Sequence, residues 1–145
     1  MPQFNFYTAY RDTGIKTASG GKLLVMMYDE VIKQLNSALM KFNGEGKVAA
    51  GDIEGFGANI VKAQEVINEL QTSLDMEKGE QIATNLMSLY IYFNKELMTV
   101  NVKKDREKLS FILDMISQLR DAWAAVVAKQ PAAKTVDGPG LNITG

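Results

Sequence analysis

The chain reads as an all-α protein: an antiparallel up-down-up-down four-helix bundle with an N-terminal arm and a flexible C-terminal tail. Three observations predict it. Proline occurs only at positions 2, 131 and 139, so nothing between Pro2 and Pro131 is obliged to break a helix. Apolar residues recur at three- and four-residue steps in four successive segments, the spacing of a core-facing stripe. No turn dipeptide flanked by alternating apolar and polar residues marks a hairpin. Four helices of similar length joined by short loops leave neighbours antiparallel. The expected division is an arm or cap over 1–19, the bundle over 20–129 and a tail over 130–145.

The first helix is expected from Gly20 to about Phe42, with Leu23, Leu24, Tyr28, Val31, Leu35 and Leu39 on its stripe. Ser19 is placed to cap it, because a serine hydroxyl accepts from an unpaired first-turn amide. Gly20 and Gly21 follow directly and loosen the start. Asn43 to Gly51, NGEGKVAAG, reads as a loop. Asp52 is placed to cap the second helix, whose stripe runs from Ile53 through Phe56, Ile60, Ile67 and Leu70 to Leu74. Gly55 and Gly57 each cost about 1 kcal/mol relative to alanine, so this end is expected to fray. Asp75 to Lys78 turn the chain into the third helix, with Ile82, Leu86, Leu89, Tyr90, Phe93, Leu97 and Val100 on its stripe. Asn101 to Lys104 turn it again, and Asp105 is placed to cap the fourth helix. That stripe carries Leu109, Ile112, Leu113, Ile116, Leu119, Trp123, Val126 and Val127. From Gln130 onward the periodicity stops and Pro and Gly enter, so the tail is read as flexible.

Composition narrows the function. The net charge of −1 has no basic block behind it, which disfavours a nucleic-acid partner, since phosphate neutralisation needs a basic face. Cysteine and histidine are both absent, which removes thiol chemistry, the usual metal ligand and the usual general base near neutral pH. GEGK at Gly44 to Lys47 lacks the spacing and the hydroxyl residue of a phosphate loop. The expectation is therefore a binding protein without cofactor or metal, not an enzyme. The N-terminus lacks a basic start before an apolar run, and no window approaches the ~18 apolar residues of a membrane span. No direct membrane insertion is expected, and the cytoplasm is the expected location.

The third helix carries a second apolar line, Met87, Ile91, Met98 and Val102, set roughly 110–170° from its stripe at about 100° per residue. The fourth carries Phe111, Met115 and Ala122, roughly 90–130° from its own. If the two lines share one flank they form a groove for a partner helix, to which flexible methionine thioethers adapt. The same residues would otherwise broaden the core or support weak self-association. In the arm, Phe4, Phe6, Tyr7, Tyr10 and Ile15 concentrate apolar surface that either packs under the bundle or occupies the groove while it is empty.

Several motifs in register carry a family resemblance. EKG-x-x-IATNL-x-x-LY-x-Y between Glu77 and Tyr92, then VNVKKD, follow Ala9–Tyr10, KTAS at Lys16 to Ser19 and LL-x-MMYD at Leu23 to Asp29; LRDAW stands at Leu119 to Trp123. Together they resemble the flagellin-specific secretion chaperones, the FliS family, over roughly residues 7 to 128. Where that family usually has proline after the capping serine, this chain has Gly20. The resemblance implies a cytoplasmic holdase that covers the disordered C-terminal segment of flagellin. It further implies delivery of that client to the cytoplasmic domain of the flagellar export-gate membrane protein. By motif match, Tyr10, with Tyr7 and Ile15 beside it, belongs to the region coupling client loading to the gate. The competing reading is a helical adaptor or regulator for another amphipathic helix.

Overall fold

The computed structural model describes residues 9–10 and 20–129. Four helices fill the described chain: α1 Gly20–Leu39, α2 Ile53–Thr72, α3 Glu80–Lys103 and α4 Arg106–Ala128. A single 3₁₀ turn, Ala50–Asp52, precedes α2. Among the described residues, extended pairing is limited to two isolated bridges, Tyr10 with Leu74 and Phe42 with Val48. The all-α expectation holds. Ser19, the arm segment 11–19 and the tail 130–145 lie outside the described residues.

Cross-helix contacts fix the direction of every helix. Lys41, just past α1, donates to Asn59 near the start of α2. Gln64 and Asn68 in the second half of α2 meet Asn94 in α3, while Gly57 at its start lies beside Asn101 at the end of α3. Lys108 at the start of α4 pairs with Glu96 late in α3. Arg120 late in α4 pairs with Asp29 in the first half of α1. Each helix therefore runs against its predecessor, and α4 returns beside α1.

The stripes meet in one core. Leu24, Tyr28, Val31 and Leu35 of α1 are buried with Phe56, Ile60, Ile67 and Leu70 of α2, Tyr90, Phe93 and Leu97 of α3, and Leu109, Ile112 and Ile116 of α4. Each such side chain contributes about 1.5–3 kcal/mol on leaving water. Two expected stripe residues stay outside: Leu23 and Ile53 are exposed. Leu23 sits one ~100° step from Leu24, off the buried arc, and Ile53 follows directly on the 3₁₀ turn, none of whose residues is buried. A polar ladder crosses the α1–α2 seam, from Glu30 to Gln34 to Asn59 to Lys41.

The helix ends separate two similar aspartates. Asp105 is extended and its carboxylate accepts from the Lys108 amide at 3.0 Å, a capping geometry. Asp52 lies inside the 3₁₀ turn at φ −105°, ψ −3°, and makes no capping bond. The expected cap at Asp52 is thus absent because its backbone is already helical. Lys104 ends α3 in the left-handed region at φ 54°, its amide returning to the Val100 carbonyl. Replacing Asp105 by alanine should lower stability by about 1 kcal/mol in urea unfolding. Asp52→Ala should stay within about 0.5 kcal/mol of the parent.

Candidate functional site

α3 and α4 form the thinnest of the four interhelical seams. Between the first half of α3 and the second half of α4 this seam opens into a cleft. Ile82, Asn85, Leu86, Leu119, Ala122, Trp123 and Val126 line it. All but Asn85 are apolar, and Asn85 is steadied by Gln81 one turn earlier. The floor is Trp123, a side chain only 5% exposed. Such a cleft has the shape and chemistry for apolar anchors presented by another chain.

The residues of the sequence-predicted groove are distributed differently. Ile91, Met98, Val102 and Phe111 are all more than half exposed, whereas Met87 and Met115 lean half-buried on the core. Met98 lines a separate, shallower hollow with Val61, Gln64, Glu65, Asn68, Asn94 and Lys95. That hollow lies between α2 and α3. At ~100° per residue Met87, Ile91 and Val102 share the Met98 side of α3, the side turned to α2. Phe111 and Met115 fall on the side of α4 that carries Ala122 and faces α3. The two lines therefore bound opposite sides of α3 rather than one flank.

Ala122 of the fourth helix's second line does line the cleft, but its other apolar walls come from stripe residues. Ile82, Leu86, Leu119, Trp123 and Val126 read in the sequence as core, and they sit at the margins of their stripes. A thin seam leaves those margins uncovered. The helical period places them on the inner face but carries no information on how closely α3 and α4 approach.

The arm enters the site through Tyr10, which is fully buried. Its hydroxyl shares a hydrogen bond with that of Tyr90 at 2.7 Å, and Tyr28 shares another with Tyr90 at 2.6 Å. Trp123 meets the Tyr10 ring edge-on at 5.8 Å between centroids. Thus the ring that floors the cleft also packs on the arm. The backbone pins the same place: the Asp75 amide donates to the Ala9 carbonyl at 2.6 Å. Gly79 makes the approach possible, since a Cβ there would come within 2.7 Å of Ala9 Cα and 2.5 Å of Ala83 Cβ. The glycine of the EKG motif is thus a packing requirement. Burial pushes the phenols of Tyr10, Tyr28 and Tyr90 above their ordinary range, most strongly for Tyr10 and Tyr90. Tyr7 and Ile15 lie outside the described residues.

Comparison with known proteins gives a consistent answer. The family described as "Flagellar protein FliS" matches residues 3–130. The flagellar secretion chaperone FliS of Salmonella typhimurium is 31% identical over 119 residues, covering 81% of this chain and 84% of its own. Its namesake in Bacillus subtilis is 27% identical over 126 residues, covering 87% of this chain and 89% of its own. The Vibrio cholerae protein of that name is 29% identical over 77% of this chain and 78% of its own. The chain belongs to the FliS family.

Tyr90→Phe should destabilise the protein by about 1–3 kcal/mol in urea unfolding, because the hydroxyls of Tyr10 and Tyr28 lose the partner between them. Gly79→Ala should raise proteolytic cleavage of the arm while the far-UV spectrum keeps its helical form. The raised phenol pKa values fix a sign for alkaline behaviour. The unfolded chain releases these protons first, so stability is fully present below about pH 10 and falls as pH rises beyond it.

Proposed function

We propose that this FliS-family chain is a cytoplasmic flagellar secretion chaperone that holds the C-terminal segment of flagellin as an unpolymerised, export-ready client. The relatives bearing the name flagellar secretion chaperone support the role. The observation that carries it is the apolar cleft over Trp123, where α3 and α4 part. An isolated amphipathic segment is at best marginally helical in water, and covering its apolar face lets it hold a helix. Burying one Leu-sized anchor contributes about 1.5–3 kcal/mol before ordering costs. Those costs offset part of the gain and keep the complex reversible, as handover requires.

The exposed line of Ile91, Met98 and Val102 offers a second apolar face around α3, and the adaptable methionine side chain tolerates a client of varied sequence. No bond of the client is made or broken, so the action is holding, not catalysis. Delivery then requires the cytoplasmic domain of the export-gate membrane protein. The arm, with Tyr10 anchored against Trp123 and with Tyr7 and Ile15 flanking it in sequence, is the segment through which loading and delivery are coupled. A general helical adaptor would share the cleft but not the client.

Co-purification with a flagellin C-terminal peptide should yield a 1:1 complex in which the peptide gains helix. Ala122→Asp in the cleft and Ile91→Asp on the other side of α3 should each weaken that complex about tenfold or more, about 1.4 kcal/mol, with far-UV spectra unchanged. Removal of residues 1–8, which keeps Tyr10 against Trp123, should leave peptide binding in place and alter secretion. A peptide that fails to bind, or binds both aspartate variants as well as the parent, would contradict the reading and favour the adaptor.

A further inference from the structure

The loop joining α1 to α2 holds a chemical feature that client binding does not use. Asn43 is followed by Gly44, and no other asparagine in the chain precedes a glycine. Both residues are exposed. The Asn43 side-chain carbonyl Oδ1 accepts two backbone N–H bonds, from Glu45 at 2.9 Å and from Lys47 at 3.1 Å. Around it the loop is closed by the Asn43 amide on the Lys47 carbonyl and the Gly46 amide on the Asn43 carbonyl. Gly46, at φ +75°, makes that closure possible. The Gly44 amide takes no part in this hydrogen-bonding and stays free.

A carbonyl carbon whose oxygen is held by two amides is a better electrophile, because negative charge developing on that oxygen is met by donors already in place. The free amide next to it is the nucleophile. We infer that Asn43–Gly44 is a self-modifying site at which Asn43 converts to aspartate and isoaspartate through a cyclic imide. The Gly44 nitrogen loses its proton to solvent base and bonds to Asn43 Cγ. The Cγ–Nδ2 bond then breaks, and the nitrogen departs as ammonia with a proton from solvent. Water adds to one of the two imide carbonyls. Opening the new C–N bond yields aspartate, and opening the original peptide C–N bond yields isoaspartate, with the backbone rerouted through the side chain.

The aspartate product suits the loop, since a carboxylate accepts the same two amides more strongly than a carboxamide does. The isoaspartate product does not, because the extra backbone carbon alters the spacing of the Phe42–Val48 bridge. Either product adds one negative charge to a chain of net charge −1. Ageing thus generates an acidic form of the protein, altered at the α1–α2 end and away from the Trp123 cleft.

The test incubates the full chain at mildly alkaline pH and maps its peptides by mass. Asn43 should gain about one mass unit, ammonia out and water in, ahead of every other asparagine. Gly44→Ala should slow this by about tenfold or more through the loss of glycine's backbone freedom. The variant should keep its fold, since a Cβ at Gly44 meets nothing within 4 Å. Conversion in the folded chain should at least match that in the chain unfolded in urea. An unmodified Asn43, a Gly44→Ala variant that converts as fast as the parent, or clear protection by folding would each overturn the inference. Protection would show that the two amides lock the side chain instead of activating it.

Discussion

Three phenol hydroxyls, from Tyr10, Tyr28 and Tyr90, meet inside the bundle with the Tyr90 oxygen in the middle. Each of these side chains is buried, so each hydroxyl must find its partner within the protein. That requirement ties α1 and α3, which are not neighbours around the bundle, to one another and to the arm. Trp123 brings α4 into the same knot through its edge-on contact with Tyr10. A paired polar cluster in an apolar core is costly to break, because parting any member strands the others. The positions of Tyr10 and the cleft floor follow from it.

The cleft is a consequence of how unevenly the helices pack. α1 is packed closely against both α2 and α4, and α2 against α3, while α3 and α4 touch sparingly. Near its closed end that seam is tied by Lys108 and Glu96. Toward the other end the tie is gone, and apolar residues on the stripe margins face each other across open space. A client helix seated there, as proposed, would complete the packing that α3 and α4 leave unfinished. Tyr10 packs against Trp123 beneath this opening and Gly79 gives Ala9 room, so the empty cleft already has a firm floor.

Much of the fold was legible in the sequence because burial enforces periodicity. The stripes of all four helices, the turn at Asp75–Lys78 and the cap at Asp105 follow from local spacing and side-chain chemistry. Asp52 resembled a cap, but the 3₁₀ turn before α2 gave it a helical backbone, which side-chain type alone does not reveal. The candidate site was less legible. Surplus apolar residues on α3 and α4 were identifiable, yet which neighbour each line faces depends on the order of helices around the bundle. Met98 turned to α2, and the cleft was built from Ile82, Leu119 and Val126 instead. Tyr10 and Gly79 stood out as motif residues. Their joint role, a buried hydroxyl partner and a missing Cβ that admits the arm, spans about seventy positions and has no local signature.

Trp123 is the sole tryptophan of the chain, and it floors the cleft. Its fluorescence therefore reports on that place without a label. Titration with a flagellin C-terminal peptide should shift the emission to shorter wavelength and saturate at one peptide per chain, as the last water leaves the indole. A peptide that binds with undiminished affinity yet leaves the Trp123 emission unchanged would show that the client sits elsewhere, and that the opening between α3 and α4 is not its seat.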